Sequence, residues 1–279
     1  MRIYKTAKGA VIRNRDDFYV KEVQNWDSFI NRKGLYKALL NDIVGIDPVR
    51  DTSLIDSPLA PIGNQEIWAS GVTYMRSRDA RMEESKKSGG DTFYDKVYDA
   101  ERPELFFKAT ASRTVGTGEI VHIRKDSIWD VPEPELTLFI SSAGTIEGYS
   151  IGNDMSSRSI EGENPLYLPQ AKMYDKCAGL GPCIYVPEQP IDPDTEIRLE
   201  ILREGSQIFE GSIPISNMKR SHTELVEFLF RESNFPNGCF LMTGTGVVPS
   251  DDFTLKVDDE IRISIDNIGM LINFVSKKN

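Results

Sequence analysis

The amino-acid sequence predicts a β-dominated α+β fold, and three observations support this. From Ile67 onward, most of the 279-residue chain consists of short β-type runs separated by turns. Apolar and polar residues alternate along 197–203 and along 261–265, which is typical of strands with one buried face. Glycine and proline interrupt the chain often, as at 179–182 and 244–246, and helical spacing is rare. This pattern places the chain in the α+β class.

The first 62 residues are predicted to form a small N-terminal α/β domain. Three short β-type runs come first, at 3–4, 10–12 and 18–20. Apolar residues with helical spacing follow from Trp26 to Leu40. The segment 47–61 is rich in Pro, Asp and Ser and is predicted to be a linker. Residues 63–279 then form the larger domain.

Composition and charge narrow the range of partners and cellular compartments that suit this protein. The net charge is −10 and the pI is near 4.9, which disfavours a nucleic-acid partner because phosphates require a basic surface. No apolar run is long enough to cross a bilayer, and the first residues lack the apolar core of a signal peptide. The three cysteines, Cys177, Cys183 and Cys239, form no CxxC pair. We therefore expect a cytoplasmic protein with reduced cysteines and no membrane partner.

Three acidic residues are predicted to meet in a β-hairpin. Two β-rich runs flank a Gly-Thr pair at 144–145, which predicts a hairpin with a two-residue turn. In that register Glu135 lies directly opposite Asp154. Since side chains alternate along a strand, Glu133 points to the same face as Glu135. A slip of one residue would send Asp154 to the other face.

Carboxylates placed this closely repel one another unless a cation lies between them. Oxygen ligands suit a hard divalent cation, so Mg²⁺, or else Mn²⁺ or Ca²⁺, is the expected occupant. The small residues Gly148, Ser150 and Gly152 on the same face are expected to leave room for the ion and a substrate. The alternative is a solvated strand end with ordinary surface acids.

The two histidines offer little catalytic potential. His122 lies in a β-type run and is predicted to be a packed or edge residue. His222 follows Ser221, and Ser221 with Glu224 has the spacing of a capping box, so His222 is predicted to lie in the first turn of a helix. Zinc sites rich in histidine and a Ser-His-Asp triad are therefore poorly supported.

Residues 76–100 begin with a highly charged helical stretch that is interrupted at 88–90 by Ser-Gly-Gly. One hypothesis is a solvated surface helix, which the many acids favour. The other is a mobile lid whose arginines, among them Arg76, reach an anionic substrate. The position of the stretch just after 68–74 favours the lid.

Seven separated motifs between residues 65 and 275 resemble those of the fumarylacetoacetate hydrolase superfamily and follow its order. They are Gly71-Val72-Thr73-Tyr74, Leu105-Phe106-Phe107-Lys108, Glu133-x-Glu135, Gly152-Asn153-Asp154-Met155-Ser156-Ser157-Arg158, Gln170-Ala171-Lys172, Gly181-Pro182 and Thr243-Gly244-Thr245-Gly246. The resemblance implies a mixed β-sandwich roll and Mg²⁺ or Mn²⁺ held by the three acids. It also implies a 2-oxo acid substrate and a homodimer or homotetramer.

Three further segments, 78–85, 102–104 and 164–172, resemble the 2-keto-3-deoxy sugar-acid dehydratases of that superfamily. Its hydrolases carry a histidine shortly after the Gly-x-x-Tyr motif, whereas 75–78 contains none. The resemblance implies conversion of 2-keto-3-deoxy-D-arabinonate to 2-oxoglutarate semialdehyde. The alternatives are hydrolysis of a C–C bond in acylpyruvate or fumarylacetoacetate-type substrates, decarboxylation of a 2-oxo acid, and a non-catalytic protein that binds 2-oxo acids.

The resemblance implies catalytic roles for two residues. Lys172 is expected to be the base, or the proton donor on the carbonyl side, with a pKa lowered by the nearby cation. A surface lysine is the alternative. Glu104 precedes an apolar run and is expected to be partly buried, to have a raised pKa and to protonate the departing hydroxyl. A plain strand-end acid is equally compatible. Lys108 is expected to form a structural ion pair with Glu104 or another acid.

Three further residues are expected to bind or position the substrate. Gly244 and Thr245 are candidates for contact with the substrate carboxylate, since glycine lets a backbone approach a ligand closely. A simple tight turn is the alternative. Arg158 is a candidate for substrate binding or for holding Glu133 or Asp154 from behind, and its alternative is an exposed arginine.

Overall fold

The computed structural model describes residues 1–85 and 96–278. At residues 83–85 it describes the backbone and not the side chains. The strands are β1 (Arg2–Thr6), β2 (Gly9–Asn14), β3 (Asp17–Lys21), β4 (Glu66–Gly71), β5 (Glu104–Thr110), β6 (Thr114–Val115), β7 (Glu119–Ile123), β8 (Asp130–Val131), β9 (Pro134–Ile140), β10 (Ile146–Asp154), β11 (Ser156–Ser157), β12 (Ala178–Tyr185), β13 (Glu196–Arg203), β14 (Ser206–Pro214), β15 (Cys239–Met242), β16 (Glu260–Ile265) and β17 (Gly269–Lys277). The helices are α1 (Trp26–Ile30), α2 (Leu35–Asp42), α3 (Met75–Ser85), α4 (Arg158–Glu163), α5 (Leu168–Lys172) and α6 (His222–Phe230). Short 3₁₀ helices occur at Thr52–Ile55, Ala111–Arg113, Pro165–Tyr167 and Ile215–Asn217.

Two large β-sheets build the molecule. The larger sheet has the order β3-β2-β1-β12-β10-β9-β15-β4-β5, with β6 added beside β12. Most neighbours are antiparallel, but β15 with β4 and β12 with β6 are parallel, so the sheet is mixed. The second sheet has the order β14-β13-β16-β17-β7. The predicted β-dominated α+β class is confirmed.

The larger sheet carries apolar side chains on both faces. On one face Leu138 belongs to the same buried cluster as Leu199 and Ile263 of the second sheet. On the other face Phe139 belongs to a second cluster with Leu39 of α2. Burying each such side chain stabilises the fold by roughly 1.5–3 kcal/mol. The strands at the centre of the larger sheet are therefore rigid supports for the side chains at their ends.

The N-terminal segment is part of the larger sheet. Its three predicted strands form, and Arg2 and Ile3 of β1 pair with β12. The predicted helix from Trp26 to Leu40 is two helices, because Gly34 adopts a left-handed conformation with φ +73° at the start of α2. One sheet therefore contains strands from residues 1–62 and strands from residues 63–279. The domain boundary at residue 62 stays a prediction.

The central hairpin differs from its predicted register. Its turn is longer than two residues: the Ser141 backbone N–H donates to the Thr145 carbonyl at 2.9 Å. A bulge follows, since pairing shifts between Ile146 and Gly148. The intervening Glu147 accepts hydrogen bonds from the Leu35 N–H of α2 at 2.9 Å and from the Thr145 hydroxyl at 2.6 Å. The predicted two-residue turn is therefore wrong, because Glu147 is used to cap a helix.

The shift amounts to two residues, which preserves the faces of the strands. Glu135 lies opposite Gly152 rather than Asp154. The Asp154 N–H instead donates to the Glu133 carbonyl at 3.0 Å. Side chains repeat every second residue along a strand, so the three acids remain on one face.

Other local predictions are confirmed. The Ser221 hydroxyl accepts from the Glu224 N–H at 3.2 Å, which caps α6 with His222 as its first residue. His122 lies in β7, at an edge of the second sheet. Within the described residues, no helix combines the length and apolar character that crossing a bilayer requires. Part of the predicted lid, 86–95, lies outside the described residues.

His222 should make stability depend on pH. Burial lowers its pKa to about 4, whereas an unfolded histidine titrates at about 6.5. Between these values the unfolded chain binds a proton that the folded chain does not, so stability falls as pH decreases, by at most about 1.4 kcal/mol per pH unit. His222→Gln should show a shallower decline in urea denaturation between about pH 7 and pH 4. Equal slopes for the two proteins would contradict this assignment.

Candidate functional site

Three carboxylates meet at one end of the central hairpin. Glu133 precedes β9, Glu135 lies within it, and Asp154 ends β10. One oxygen from each lies within 4.8 Å of the others, and all three residues are buried. Burial, together with the neighbouring Asp154 and Glu133, raises the pKa of Glu135 well above its usual value. The arrangement concentrates negative charge in a region with little access to water.

Lys172, the last residue of α5, reaches into this group of acids and is fully buried. Its Nζ donates to Glu133 Oε2 at 2.5 Å, to Asp154 Oδ2 at 3.2 Å and to Ser156 Oγ at 2.5 Å. Burial lowers the pKa of Lys172, but the carboxylates of Asp154 and Glu133 outweigh it and raise the pKa above its usual value. The predicted lowering is therefore not observed, because two carboxylates surround the ammonium; a cation held by the same acids would reduce their effect on Lys172.

Lys108 and Arg158 support the acids from behind. Lys108 Nζ lies 2.5 Å from Asp154 Oδ1 and donates to the Met155 carbonyl at 2.9 Å. A register shift in β5 places Lys108 at a bulge, so it pairs with Asp154 and not with Glu104. Arg158 Nη2 donates to Glu133 Oε1 at 2.7 Å. The predicted contact of Arg158 with Glu133 or Asp154 is observed, and so is the predicted ion pair of Lys108. The sequence left the partner of Lys108 open, and the partner is Asp154.

Glu104 begins β5 and pairs with Gly71 of β4. Its carboxylate occupies the space beside Gly71, where a Cβ atom would overlap Glu104 Oε2. That oxygen is buried and has no hydrogen-bond partner among the described residues. Burial raises the pKa of Glu104, while Arg81 opposes the shift. The predicted burial and raised pKa are therefore observed, and they suit a carboxylic acid that donates a proton.

The Gly-Thr-Gly turn touches the acids directly. The Gly244 N–H donates to Glu135 Oε2 at 2.6 Å, so this amide positions a carboxylate of the protein. Gly244 has φ +95°, and a Cβ atom there would lie 2.9 Å from the Ser70 carbonyl oxygen. The Thr245 hydroxyl donates to the Val247 carbonyl at 3.1 Å, and Thr245 lines the cavity. Of the two, Thr245 is the better placed to meet a ligand.

The cavity beside the acids contains most of the predicted residues. Those that line it are Glu133, Glu135, Asp154, Lys172, Gly244 and Thr245. Arg158 and Glu104 are not in this lining, but the Glu104 carboxylate lies against Gly71, which is. The glycines were expected to leave open space, and this is wrong at both: a Cβ would overlap Ile184 at Gly148, and at Gly152 it would overlap Thr137 and lie 2.9 Å from Met242 Cε. Neighbouring side chains fill that space, so the room for a ligand lies on the side of Phe106 and Val72.

Arg81 is the arginine of α3 that lines the cavity, whereas the sequence had indicated Arg76. Arg81 is buried, lines the cavity and forms an ion pair with Glu161. Arg76 is exposed and lies outside the lining. Residues 77, 80 and 81 share the buried face at helical spacing, and Arg76 points away from it. Spacing relative to Ser77 and Ala80 could have identified Arg81.

Comparison with known proteins agrees with this geometry. Residues 67–276 match the family model described as fumarylacetoacetate (FAA) hydrolase C-terminal. The chain belongs to the fumarylacetoacetate hydrolase family. The family resemblance of the seven motifs is thus confirmed.

Two relatives within this family are similar over most of their length. A protein of Haloferax volcanii named probable 2-keto-3-deoxyxylonate dehydratase is 48% identical over 231 residues, covering 82% of this chain and 78% of the relative. The 2-dehydro-3-deoxy-D-arabinonate dehydratase of Saccharolobus solfataricus is 44% identical over 245 residues, covering 87% and 80%. A solved structure of 2-keto-3-deoxy-D-arabinonate dehydratase, complexed with magnesium and 2,5-dioxopentanoate, has a TM-score of 0.84 and 38% identity over the whole of both chains.

Loss of the Lys108 ammonium should destabilise the protein. Lys108→Met leaves Asp154 buried beside two other acids, and breaking a buried ion pair costs roughly 3–5 kcal/mol. Urea denaturation of Lys108→Met should show this loss. Lys125→Met, at an exposed position, is the matched control and should change stability by less than about 0.5 kcal/mol. Equal effects of the two substitutions would show that the ion pair contributes little.

Proposed function

We propose that this chain is a Mg²⁺-dependent dehydratase that converts 2-keto-3-deoxy-D-arabinonate into 2-oxoglutarate semialdehyde, which is 2,5-dioxopentanoate. The observation that carries the proposal is a buried cluster of three carboxylates beside Lys172 and the Glu104 carboxyl group. The names of the relatives at 44% and 48% identity support the reaction. The related structure with magnesium and 2,5-dioxopentanoate supports the metal and the product.

The two relatives' names are chemically compatible. In a 2-keto-3-deoxy pentonate, C2 is a ketone and C3 is a methylene. The arabino and xylo prefixes describe configurations at carbons that are no longer stereocentres, and C4 alone remains. Within one D or L series the two names therefore describe one compound.

The donor set fits a magnesium ion held by Glu133, Glu135 and Asp154. All three residues supply carboxylate oxygens, and Glu135 accepts a hydrogen bond from the Gly244 N–H. Burial raises the pKa of Glu135 most, and repulsion from Asp154 and Glu133 raises it further; a divalent cation would relieve that repulsion. Mn²⁺ and Ca²⁺ favour the same kind of ligand. When bound, the ion supplies Lewis-acid polarisation of the substrate's C2 carbonyl, which acidifies the C3 protons.

The protein's own groups then move the protons. Lys172, in its neutral form, removes one proton from C3. Glu104 donates its proton to the C4 hydroxyl as the C4–O bond breaks, and water leaves. Tautomerisation of the unsaturated alcohol converts C5 into the aldehyde, so the overall change is loss of one water. The burial that raises the pKa of Glu104 favours the protonated form from which it can donate.

The remaining residues bind and position. Arg158 holds Glu133 through one of its oxygens, which leaves the other oxygen to face Lys172 and the cavity. Thr245 is proposed to contact the substrate carboxylate, with Gly244 holding Glu135 in place. The arginine on the cavity side of α3 is Arg81 and takes the place expected for Arg76.

The hydrolase alternative requires a group that activates water. His122 and His222 are the histidines of the chain, both lie in the described part of it, and neither lines the cavity. The same scaffold would otherwise support hydrolysis or decarboxylation of an acylpyruvate. A non-catalytic protein that binds 2-oxo acids would have no use for a buried carboxyl group with a raised pKa near Lys172.

We also propose that the protein forms a homodimer or homotetramer in the cytoplasm. Ile128 and Leu166 expose 87% and 83% of their surface, which suits residues that a second subunit covers. The cysteines Cys177, Cys183 and Cys239 are free and buried, which suits a reducing compartment. Sedimentation velocity should show a species larger than 31.4 kDa.

Product analysis tests the reaction. The protein is incubated with Mg²⁺ and 2-keto-3-deoxy-D-arabinonate, and the mixture is followed by ¹H NMR. We expect the signals of 2-oxoglutarate semialdehyde to grow and to be absent when EDTA is added. Unchanged sugar acid together with cleavage of an acylpyruvate would favour the hydrolase. Absence of turnover with every 2-oxo acid would favour the binding protein.

Glu135→Gln should weaken metal binding, because an amide replaces one of three anionic ligands. We expect a dissociation constant for Mg²⁺ at least about tenfold higher by isothermal titration calorimetry, which is about 1.4 kcal/mol. Turnover should fall and recover in part at high Mg²⁺. Glu188→Gln, at an exposed position, is the control and should bind as the wild type does. An unchanged affinity in Glu135→Gln would remove it from the metal site.

Lys172→Met should retain Mg²⁺ binding and lose turnover. Methionine preserves much of the buried volume, but it cannot accept the C3 proton, and loss of a general base lowers kcat by roughly 10²–10⁴-fold. Steady-state kinetics measures kcat, and titration calorimetry measures the metal. The exposed Lys176→Met serves as the control. Normal kcat in Lys172→Met would exclude Lys172 from the chemistry.

A further inference from the structure

Glu161 is a buried acid that the proposed reaction does not use. It lies in α4, is 1% exposed and forms an ion pair with Arg81 of α3. Arg81 is the partner that lines the cavity; Glu161 lies behind it. A buried carboxylate is costly unless it compensates another charge. The pair therefore sets the effective charge of one wall of the cavity.

Charge balance shows what this wall prefers. In the described residues, nine buried charged groups surround the cavity. Four are basic (Arg81, Lys108, Arg158 and Lys172) and five are acidic (Glu104, Glu133, Glu135, Asp154 and Glu161). The balance is one negative charge, both when Lys172 and Glu104 are charged and when both are neutral. A divalent cation and a ligand with one carboxylate bring the total to zero.

Arg81 acts on the part of the cavity where the substrate's tail would lie. Arg81 and Gly71 line the same cavity, and the Glu104 carboxylate lies against Gly71. Glu104 is the group proposed to meet the C4 hydroxyl. Arg81 and Glu104 therefore border the same cavity, and Arg81 can act on the tail of a ligand bound there.

We propose that Glu161 neutralises Arg81 and thereby makes the pocket select 2-oxo acids with an uncharged tail over those with a second carboxylate. An arginine without this partner would attract a distal carboxylate, because guanidinium and carboxylate form strong paired hydrogen bonds. Paired with Glu161, Arg81 can still donate to a hydroxyl group. The inference rests on the proposed function and adds a specificity determinant to it.

Binding of two ligands that cannot be dehydrated tests this directly. 2-Oxopentanoate and 2-oxoglutarate have five carbons each and lack a C4 hydroxyl, and they differ in the second carboxylate. Their dissociation constants are measured by titration calorimetry in Mg²⁺ for the wild type and for Glu161→Gln. We expect the wild type to favour 2-oxopentanoate. The ratio should shift toward 2-oxoglutarate by about tenfold or more in Glu161→Gln, since a charge is removed near the tail.

Glu163→Gln is the matched control. It removes the same charge from the same helix, but residue 163 is exposed. Its ratio of dissociation constants should equal that of the wild type. A general effect of net charge would instead move both variants alike and would overturn the inference.

Two further variants separate charge selection from a purely structural role. Arg81→Gln should shift the ratio in the opposite direction, away from 2-oxoglutarate. The double variant Arg81→Gln/Glu161→Gln restores the charge balance and should return the ratio toward the wild-type value. If the ion pair served only to hold α3 against α4, all three variants would weaken both ligands equally and leave the ratio unchanged. Such a result would overturn the inference. If Glu161→Gln alone fails to fold, Arg81→Gln and the double variant still test it, and a wild-type ratio in Arg81→Gln overturns it.

The outcomes also distinguish this inference from the proposed function. If the wild type binds neither acid in Mg²⁺, the proposed function fails and the inference fails with it. If the wild type binds both acids and the variants leave the ratio unchanged, the inference alone fails. Dehydration of 2-keto-3-deoxy-D-arabinonate by the wild type would then still stand.

Discussion

The burial of several carboxylates at one point is the constraint on which the rest of the structure depends. Glu133, Glu135 and Asp154 lie within 4.8 Å of one another and are shielded from water. Taking one such ion out of water costs several kcal/mol. Lys108 and Lys172 offset part of this cost, and both are themselves fully buried. The divalent cation proposed for this site would complete the compensation, and its binding would then be coupled to the stability of this region.

The elements around the hairpin supply these compensating charges. The bulge in β5 directs Lys108 to Asp154, and α4 begins with Arg158 against Glu133. α5 ends with Lys172, and Arg81 of α3 lines the cavity. The charged residues therefore come from one helix start, one helix end, the interior of a helix and a bulge in a strand. The site is therefore assembled from ends and bulges on a rigid sheet.

The three acids lie together as predicted, although the predicted register of the hairpin was wrong. The sequence favoured a two-residue turn because glycine at 144 matches tight hairpins. Glu147 instead caps α2, a contact with a segment more than one hundred residues earlier, and the hairpin gains a bulge. Local sequence contains no information about that partner. The period of two along a strand nevertheless kept Glu133, Glu135 and Asp154 on one face, because the displacement was even.

By itself the sequence determined the β-dominated class and several strands, among them β1–β3, β13 and β16. It also determined the capped start of α6 and the strand face that carries the acids. These features follow from short-range periodicity and local backbone hydrogen bonding. Tertiary structure decided which basic group meets which acid: Lys108 with Asp154, and Arg81 rather than Arg76 at the cavity. It also placed β1–β3 in the main sheet. Such choices depend on helix rotation, bulges and pairing between distant segments. These are set by the competition of many buried contacts and not by neighbouring residues.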